Sequence, residues 1–257
     1  TNEGVKIFGT SSASIDLAEN REAFASIIKK LKIQIPEYCI AKNYEEIINF
    51  SEIAQFPVLV RPSYVLGGRA MQIVYNKEQL VDYVFRSAEA TNDHPILIDQ
   101  FIENAFEFDV DALSDGEEVF VAGIMQHIEE AGVHSGDSSC VLPPYDMSSK
   151  VKKDIIDMTT KLALELNVIG LINLQFAVKD NEVYVLEVNP RSSRTVPFVS
   201  KYSNVPLANI AAQLSVGRKI SDFNLNENHF KHTAVKKAVL PFKKFKDEKV
   251  FLGPEMK

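Results

Sequence analysis

Leu171-Ile-Asn-Leu-Gln-Phe-Ala-Val178 and Glu182-Val-Tyr-Val-Leu-Glu-Val-Asn189 are two short apolar runs joined through Lys179-Asp-Asn-Glu182, a turn sequence. Period-2 alternation puts Asn173, Gln175 and Ala177 on one face of the first strand, and Val183, Val185, Glu187 and Asn189 on one face of the second. A two-residue loop, Asp180-Asn181, would set Gln175 opposite Leu186 and away from Glu187. A three-residue loop, Asp180 to Glu182, sets Gln175 opposite Glu187 and Asn173 opposite Asn189. Asp and Asn tolerate the left-handed backbone such a bulged hairpin needs. That register gathers Gln175, Glu187 and Asn189, an oxygen-rich set suited to Mg²⁺ or Mn²⁺. Strand Gln and Glu also commonly form a solvated polar face, and the hairpin alone leaves both readings open. Past its end, Asn189-Pro-Arg-Ser-Ser-Arg194 adds Arg191 and Arg194, whose planar forks match phosphate or carboxylate.

Outward from this hairpin, strand and helix patterns alternate, giving an α+β chain. Strands are expected at 57–61, 71–75, 95–99, 107–113, 117–125 and 234–240. Helices are expected at 20–32, with Asn20 as cap, and at 77–90, 149–166 and 206–217. Residues 4–9 read as a strand end entering a loop. The 257 residues carry 28 Lys+Arg against 35 Asp+Glu, a net charge of −7, which argues against broad nucleic-acid binding. The 46% hydrophobic and 25% charged composition is that of a globular chain. No apolar run approaches the ~18 residues a membrane span requires. Two cysteines, Cys39 and Cys140, make no disulfide framework. With no leader pattern, these point to a cytoplasmic setting. The absence of an initiator Met reads as a processed chain or an excised piece.

Other motifs are weaker by themselves. Arg61-Pro-Ser-Tyr-Val-Leu-Gly-Gly-Arg-Ala70 joins two strands. Gly67-Gly68 would let backbone N–H groups approach an anion, yet alone the stretch reads as a tight hairpin. It lacks the Gly-Lys-Ser/Thr of a P-loop. Ala131-Gly-Val-His-Ser-Gly-Asp137 is a second glycine loop, whose His134 is a ligand, a base or, most commonly, a structural histidine. Asp109, Asp111 and Asp115-Gly116 fail as a calcium loop because Leu113 falls where an oxygen is needed. No nucleophile elbow is present.

Longer segments resemble the large subunit of carbamoyl-phosphate synthase. They are Thr10-Ser-Ser-Ala-Ser-Ile-Asp16, Glu19-Asn-Arg-Glu-Ala-Phe24, Phe56-Pro-Val-Leu-Val-Arg-Pro-Ser-Tyr-Val-Leu-Gly-Gly-Arg69, Glu130-Ala-Gly-Val-His-Ser-Gly-Asp-Ser138, Glu187-Val-Asn-Pro-Arg-Ser-Ser-Arg-Thr-Val-Pro-Phe-Val-Ser-Lys201, Val239-Leu-Pro-Phe242 and Leu252-Gly-Pro-Glu-Met256. Of that subunit's two ATP-grasp halves, the likeness is to the second, which phosphorylates carbamate. The resemblance implies an ATP-grasp fold of two α+β lobes with the nucleotide between them. Residues 1–20 would be a remnant of a preceding small domain or linker and 21–257 the module, with a small lobe at about 56–100 set against a larger lobe at about 101–240.

The resemblance also implies roles. Arg21 and Arg61 would contact nucleotide phosphates, and Gly67 and Gly68 would form a flap. The backbone of Gln100 to Ile102 would read adenine and Glu107 would bind ribose, with Gly132, Val133, His134 and Ser135 lining the nucleotide site. Gln175, Glu187 and Asn189 would hold two Mg²⁺ or Mn²⁺ ions beside ATP, with K⁺ as a further cation. Arg191 and Arg194 would face the transferred phosphoryl group and the carbamate. The implied partners are the remainder of the large subunit and a glutamine amidotransferase small subunit, with no nucleic acid and no membrane. The bicarbonate-phosphorylating half, another ATP-grasp carboxylate ligase, and a nucleotide-binding module silent by itself are the alternatives.

Overall fold

The computed structural model describes residues 4, 7–62, 71–88, 95–226, 232–239 and 252–254. They fall into two compact units: the described residues of Thr1–Ile35, Phe106–Ile128 and Ser139–Lys237 in the first, and those of Pro36–Ala105, Glu129–Ser138 and Ala238–Lys257 in the second.

The first unit is built on β5 (Phe106–Asp115), β6 (Val119–His127), β7 (Cys140–Leu142), β8 (Ile169–Lys179), β9 (Glu182–Asn189) and β10 (Ala234–Lys236). These form one antiparallel sheet in the order β10-β7-β6-β5-β8-β9. One face carries Phe108, Val110, Ile172, Leu174, Phe176 and Val185. They pack with Phe24, Ile27 and Ile28 of α2 (Arg21–Leu31) and with Val151, Ile155 and Leu162 of α5 (Ser149–Glu165). Both helices start at side-chain caps, Asn20 as expected and Ser148 in addition. Asn20 Oδ1 accepts from the Ala23 N–H at 3.0 Å, and Ser148 Oγ from the Val151 N–H at 3.3 Å. The other face is apolar at one end only. There Leu113, Met125 and Leu171 meet α6 (Val196–Ser203) and α7 (Leu207–Ser215).

Gly123 on β6 lets α6 approach the sheet closely. A Cβ at this position would stand 2.9 Å from Val199 Cγ1 and 3.4 Å from Leu142 Cδ2. Overpacking of this kind costs about 1–3 kcal/mol. Gly123→Ala is therefore expected to lower the unfolding free energy by about that amount in a denaturant titration. An unchanged midpoint would mean α6 sits further off than 2.9 Å implies.

The second unit holds β1 (Tyr38–Ala41), β2 (Val58–Pro62), β3 (Gln72–Val74) and β4 (Ile96–Gln100), an antiparallel sheet in the order β1-β4-β2-β3. Its core joins Val58, Val60, Val74 and Ile98 to Ile47 of α3 (Tyr44–Ile53) and to Leu80, Tyr83 and Val84 of α4 (Lys77–Ala88).

Among the described residues of 4–9, Ile7 and Phe8 lie in irregular backbone, so no strand is seen there. The chain instead enters α1 (Ser12–Glu19), capped by Ser11. Helix α3 also lay outside the sequence-based reading, although its signal was present. Asn43 Oδ1 accepts from the Glu46 N–H at 2.9 Å while Glu46 Oε2 reaches back to the Lys42 N–H at 2.8 Å. No helix among the described residues is long and apolar enough to cross a membrane.

Candidate active site

The β8–β9 hairpin turns on Asp180 and Asn181, at φ 52° and 62°, and Lys179 pairs directly with Glu182. The loop is thus two residues, not the three expected, and two positive φ values suit the twist of the flanking strands. The register still delivers Gln175 opposite Glu187 and Asn173 opposite Asn189, because Phe176 faces Val185 and Leu186 is left as an extra residue. This β-bulge does what the longer loop would have done. It also exchanges faces partway along β9. Val183, Val185 and Val188 all point into the core beneath α2 and α5. Glu187 and Asn189 stand on the opposite face with Asn173 and Gln175, so Val183 and Val185 do not share their face as period-2 alternation predicted.

Two rungs cross the sheet here. Asp109, Gln175 and Glu187 lie side by side on β5, β8 and β9, and the next rung is Asp111, Asn173 and Asn189. Gln175 and Asn189 are half-buried and Glu187 is exposed. Beyond β9, Arg191 folds back: its Nη2 donates to Asn189 Oδ1 at 3.0 Å and its Nη1 to the Ser192 carbonyl at 3.1 Å. Arg194 is exposed three residues further on.

Behind these groups runs a buried polar network. His127 Nε2 lies 2.8 Å from Asp109 Oδ2, and its Nδ1 lies 3.3 Å from Glu107 Oε2. Asn173 Nδ2 donates to Asp109 Oδ1 at 3.3 Å and to Asp111 Oδ1 at 3.1 Å. Asp111 in turn accepts from Ser193 Oγ at 2.7 Å and from Thr195 Oγ1 at 2.6 Å. Burial alone would push the His127 pKa down. Hydrogen bonds with Asp109, Cys140 and Glu107 outweigh it and raise the value to about 12. The ring is therefore an imidazolium at neutral pH, donating from both nitrogens. Burial raises the Asp111 carboxyl to about 6 against the lowering effect of Thr195, Ser193 and Asn173. Asp115, the third acid considered for a calcium loop, is engaged locally. Its Oδ1 accepts from the Glu117 and Glu118 N–H groups, and its Oδ2 from that of Ile220.

The remaining candidates divide between the units. In the first, Arg21 opens α2 and Glu107 lies on β5, held by His127. In the second, Arg61 Nη2 on β2 pairs with Asp99 Oδ2 on β4 at 3.2 Å. Gln100 ends β4, and its N–H donates to the Glu37 carbonyl at 2.7 Å. Phe101 donates to the Pro57 carbonyl at 3.0 Å, and Ile102 follows half-buried. Gly132, at φ +101°, lies against the Phe101 ring, where a Cβ would come within 2.8 Å. Only glycine fits both that contact and that backbone. The second unit so brings the 100–102 segment beside the loop of Gly132, Val133, His134 and Ser135. His134 Nδ1 accepts from the Gly136 N–H at 3.0 Å, and the His134 carbonyl from those of Asp137 and Ser138. Gly67 and Gly68 lie outside the described residues.

Sequence reasoning missed Asp109, Asp111, Asn173, His127, Ser193 and Thr195 as site-building groups. The signal was the run Phe106-Glu-Phe-Asp-Val-Asp-Ala112, which sets three acids at alternate positions on one strand face. The donor set of Gln175, Glu187 and Asn189 fits a hard divalent cation: one carboxylate and two carboxamides share a face beside adjacent rungs. The Asn189 oxygen has a second lone pair beyond the one used by Arg191.

Residues 20–223 match the family model described as "Carbamoyl-phosphate synthase L chain, ATP binding domain". The carbamoyl phosphate synthase large chain of Archaeoglobus fulgidus is 56% identical over 257 residues, covering 100% of this chain and 24% of its own length. The C-terminal section of that large chain from Methanocaldococcus jannaschii is 48% identical, covering 100% of this chain and 43% of its own. The chain thus spans about a quarter of the length of the undivided large chains it matches. Among solved structures, the biotin carboxylase domain of Hydrogenobacter thermophilus 2-oxoglutarate carboxylase, in complex with MgADP and bicarbonate, superposes with a TM-score of 0.76 at 18% identity, covering 91% of this chain and 53% of that one. The D-alanine-D-alanine ligase of Helicobacter pylori gives 0.62 at 20% identity, covering 80% and 62%. The fold is ATP-grasp.

Proposed function

Because the chain belongs to the carbamoyl-phosphate synthase large-chain ATP-binding domain family, we propose that it phosphorylates carbamate, forming carbamoyl phosphate and ADP from carbamate and ATP. The observation that carries this reading is the register that aligns Gln175 with Glu187 and Asn173 with Asn189, immediately before Arg191 and Arg194. The match over its whole length to a C-terminal section of the large chain supports the second half over the first.

Carbamate is already an anion, so no strong general base is needed. A carbamate oxygen attacks the γ-phosphorus, and the obstacle is repulsion between the nucleophile and a polyanion. Gln175, Glu187 and Asn189 would hold Mg²⁺, which when bound neutralises phosphate charge. Arg191 and Arg194 would add guanidinium donors to the transferred group and the carbamate. Arg21 and Arg61 would bind phosphates, and Glu107 the ribose. At Gln100–Ile102 two N–H groups are already given to Glu37 and Pro57, so adenine would be read by the Ile102 N–H and by carbonyls. Gly67 and Gly68, Gly132, Val133, His134 and Ser135 would complete the nucleotide surroundings. The remaining large-chain segments and an amidotransferase subunit would supply the carbamate.

The test is the reverse reaction. Mg·ADP incubated with carbamoyl phosphate is expected to yield ATP, while acetyl phosphate yields little. Equal turnover of both donors would favour another carboxylate ligase. Tight Mg·ADP binding without turnover would favour a silent nucleotide-binding module.

A further inference from the structure

The segment 190–195, which carries both arginines, belongs to neither β9 nor α6 and is tied down chiefly through side chains. Asp111 is the post. It is fully buried on β5, and its two oxygens take up the Ser193 hydroxyl, the Thr195 hydroxyl and the Asn173 amide at 2.7, 2.6 and 3.1 Å. Ser193 Oγ and Thr195 Oγ1 also lie 2.7 Å apart, and the Thr195 N–H donates to Ser193 Oγ at 3.2 Å. Thr195 stands at the N-terminus of α6 but spends its hydroxyl on Asp111 rather than on the helix. Ser193 lies between the two arginines in sequence. On the same rung, Asp111 is joined through Asn173 to Asn189, whose oxygen receives Arg191. One carboxylate on β5 therefore anchors the loop that carries the guanidiniums, one strand over from β8 and two from β9, which bear the cation ligands.

We infer that Asp111 is a positioning residue for phosphoryl transfer, holding Arg191 and Arg194 in register with Glu187 and Asn189 through Ser193 and Thr195. The inference rests on the function proposed above and deepens it. Charge-assisted bonds of this kind are each worth about 1.5–3 kcal/mol. A guanidinium displaced by an ångström costs phosphoryl transfer far more than it costs nucleotide binding, which rests on other residues.

The test uses the full-length protein with Mg·ADP and carbamoyl phosphate. Asp111→Ala is expected to lower kcat about 100-fold while the KM for Mg·ADP moves less than about twofold. Asp111→Asn should restore most of that loss, because an amide oxygen still accepts and Thr195 can turn its hydroxyl to receive the amide. Ser193→Ala, at a half-buried position that cannot threaten the core, should lower kcat about tenfold. In an Arg194→Ala background the Ser193→Ala change should cost clearly less than the roughly tenfold it costs alone, the remainder being its hold on Arg191. Hydrogen exchange, which needs no turnover, should quicken about tenfold at residues 191–195 in Ser193→Ala. Unchanged exchange there, kcat and KM shifting together, or fully multiplicative losses in the double variant would each overturn the inference. If the unsubstituted protein makes no ATP, the functional reading fails, and the exchange rates alone decide whether Asp111 holds the loop.

Discussion

Glu187→Gln is expected to cut ATP formation from Mg·ADP and carbamoyl phosphate by at least about 100-fold, the scale on which preorganised charge at a transition state acts. The substitution changes almost nothing but charge. Glu187 is exposed, stands opposite Gln175, and has its backbone fixed by the bulge at Leu186. Gln is nearly isosteric, so the strand, its pairing and the melting temperature should stay as they are. The donor set, however, falls from one carboxylate and two carboxamides to three carboxamides, and neutral oxygens alone hold Mg²⁺ poorly against water. Calorimetry should accordingly show Mg²⁺-dependent strengthening of ADP binding largely lost, with metal-free ADP binding intact. Activity within about tenfold of the unsubstituted protein would show that Glu187 is a solvated strand residue, and the cation site would have to be sought elsewhere.

The same hairpin shows what sequence could and could not reveal. The pairing of Gln175 with Glu187 was legible because side-chain direction repeats every two residues, so few registers needed weighing. The route to it was not legible. Asp180-Asn181 serves a tight turn as well as a longer loop, and nothing in Tyr184-Val-Leu-Glu187 announces that Leu186 will be the unpaired residue. The long helix at 149–166 was plain from its apolar spacing. β1 and β7, at four and three residues, were too short for any period to register. The buried network escaped for a different reason. His127 and Asp109 are 18 positions apart, and Asp111 and Thr195 are 84 apart. Only the sheet order brings them together.

His127→Leu is expected to destabilise the fold by about 3–5 kcal/mol, the cost of removing one partner from a buried ion pair. His127 is 3% exposed and Asp109 is 2% exposed. Leucine would take the imidazolium from both Asp109 and Glu107 while leaving the Asn173 Nδ2 donor to Asp109 in place. The pH dependence separates this cause from lost packing. In the unfolded chain the imidazole releases its proton near its ordinary 6.5; in the fold it keeps it to about 12. The folded state thus binds the extra proton between these values. The stabilisation is complete below pH 6.5 and is lost as pH rises toward 12. Over pH 7.5–9.5 one retained proton corresponds to a decline of about 1.4 kcal/mol per pH unit in the unsubstituted protein. The variant should lack this slope, so the gap between the two should narrow with rising pH. Asp111 adds a slope of the same sign on the acid side. Its carboxyl, raised from 3.8 to about 6, holds a proton the unfolded chain has lost, and that contribution is spent before pH 7. Urea titrations at pH 7.5, 8.5 and 9.5 would decide. Parallel curves for the two proteins, or a loss below about 1 kcal/mol, would mean that His127 is neutral in the fold and that Asp109 is satisfied without it.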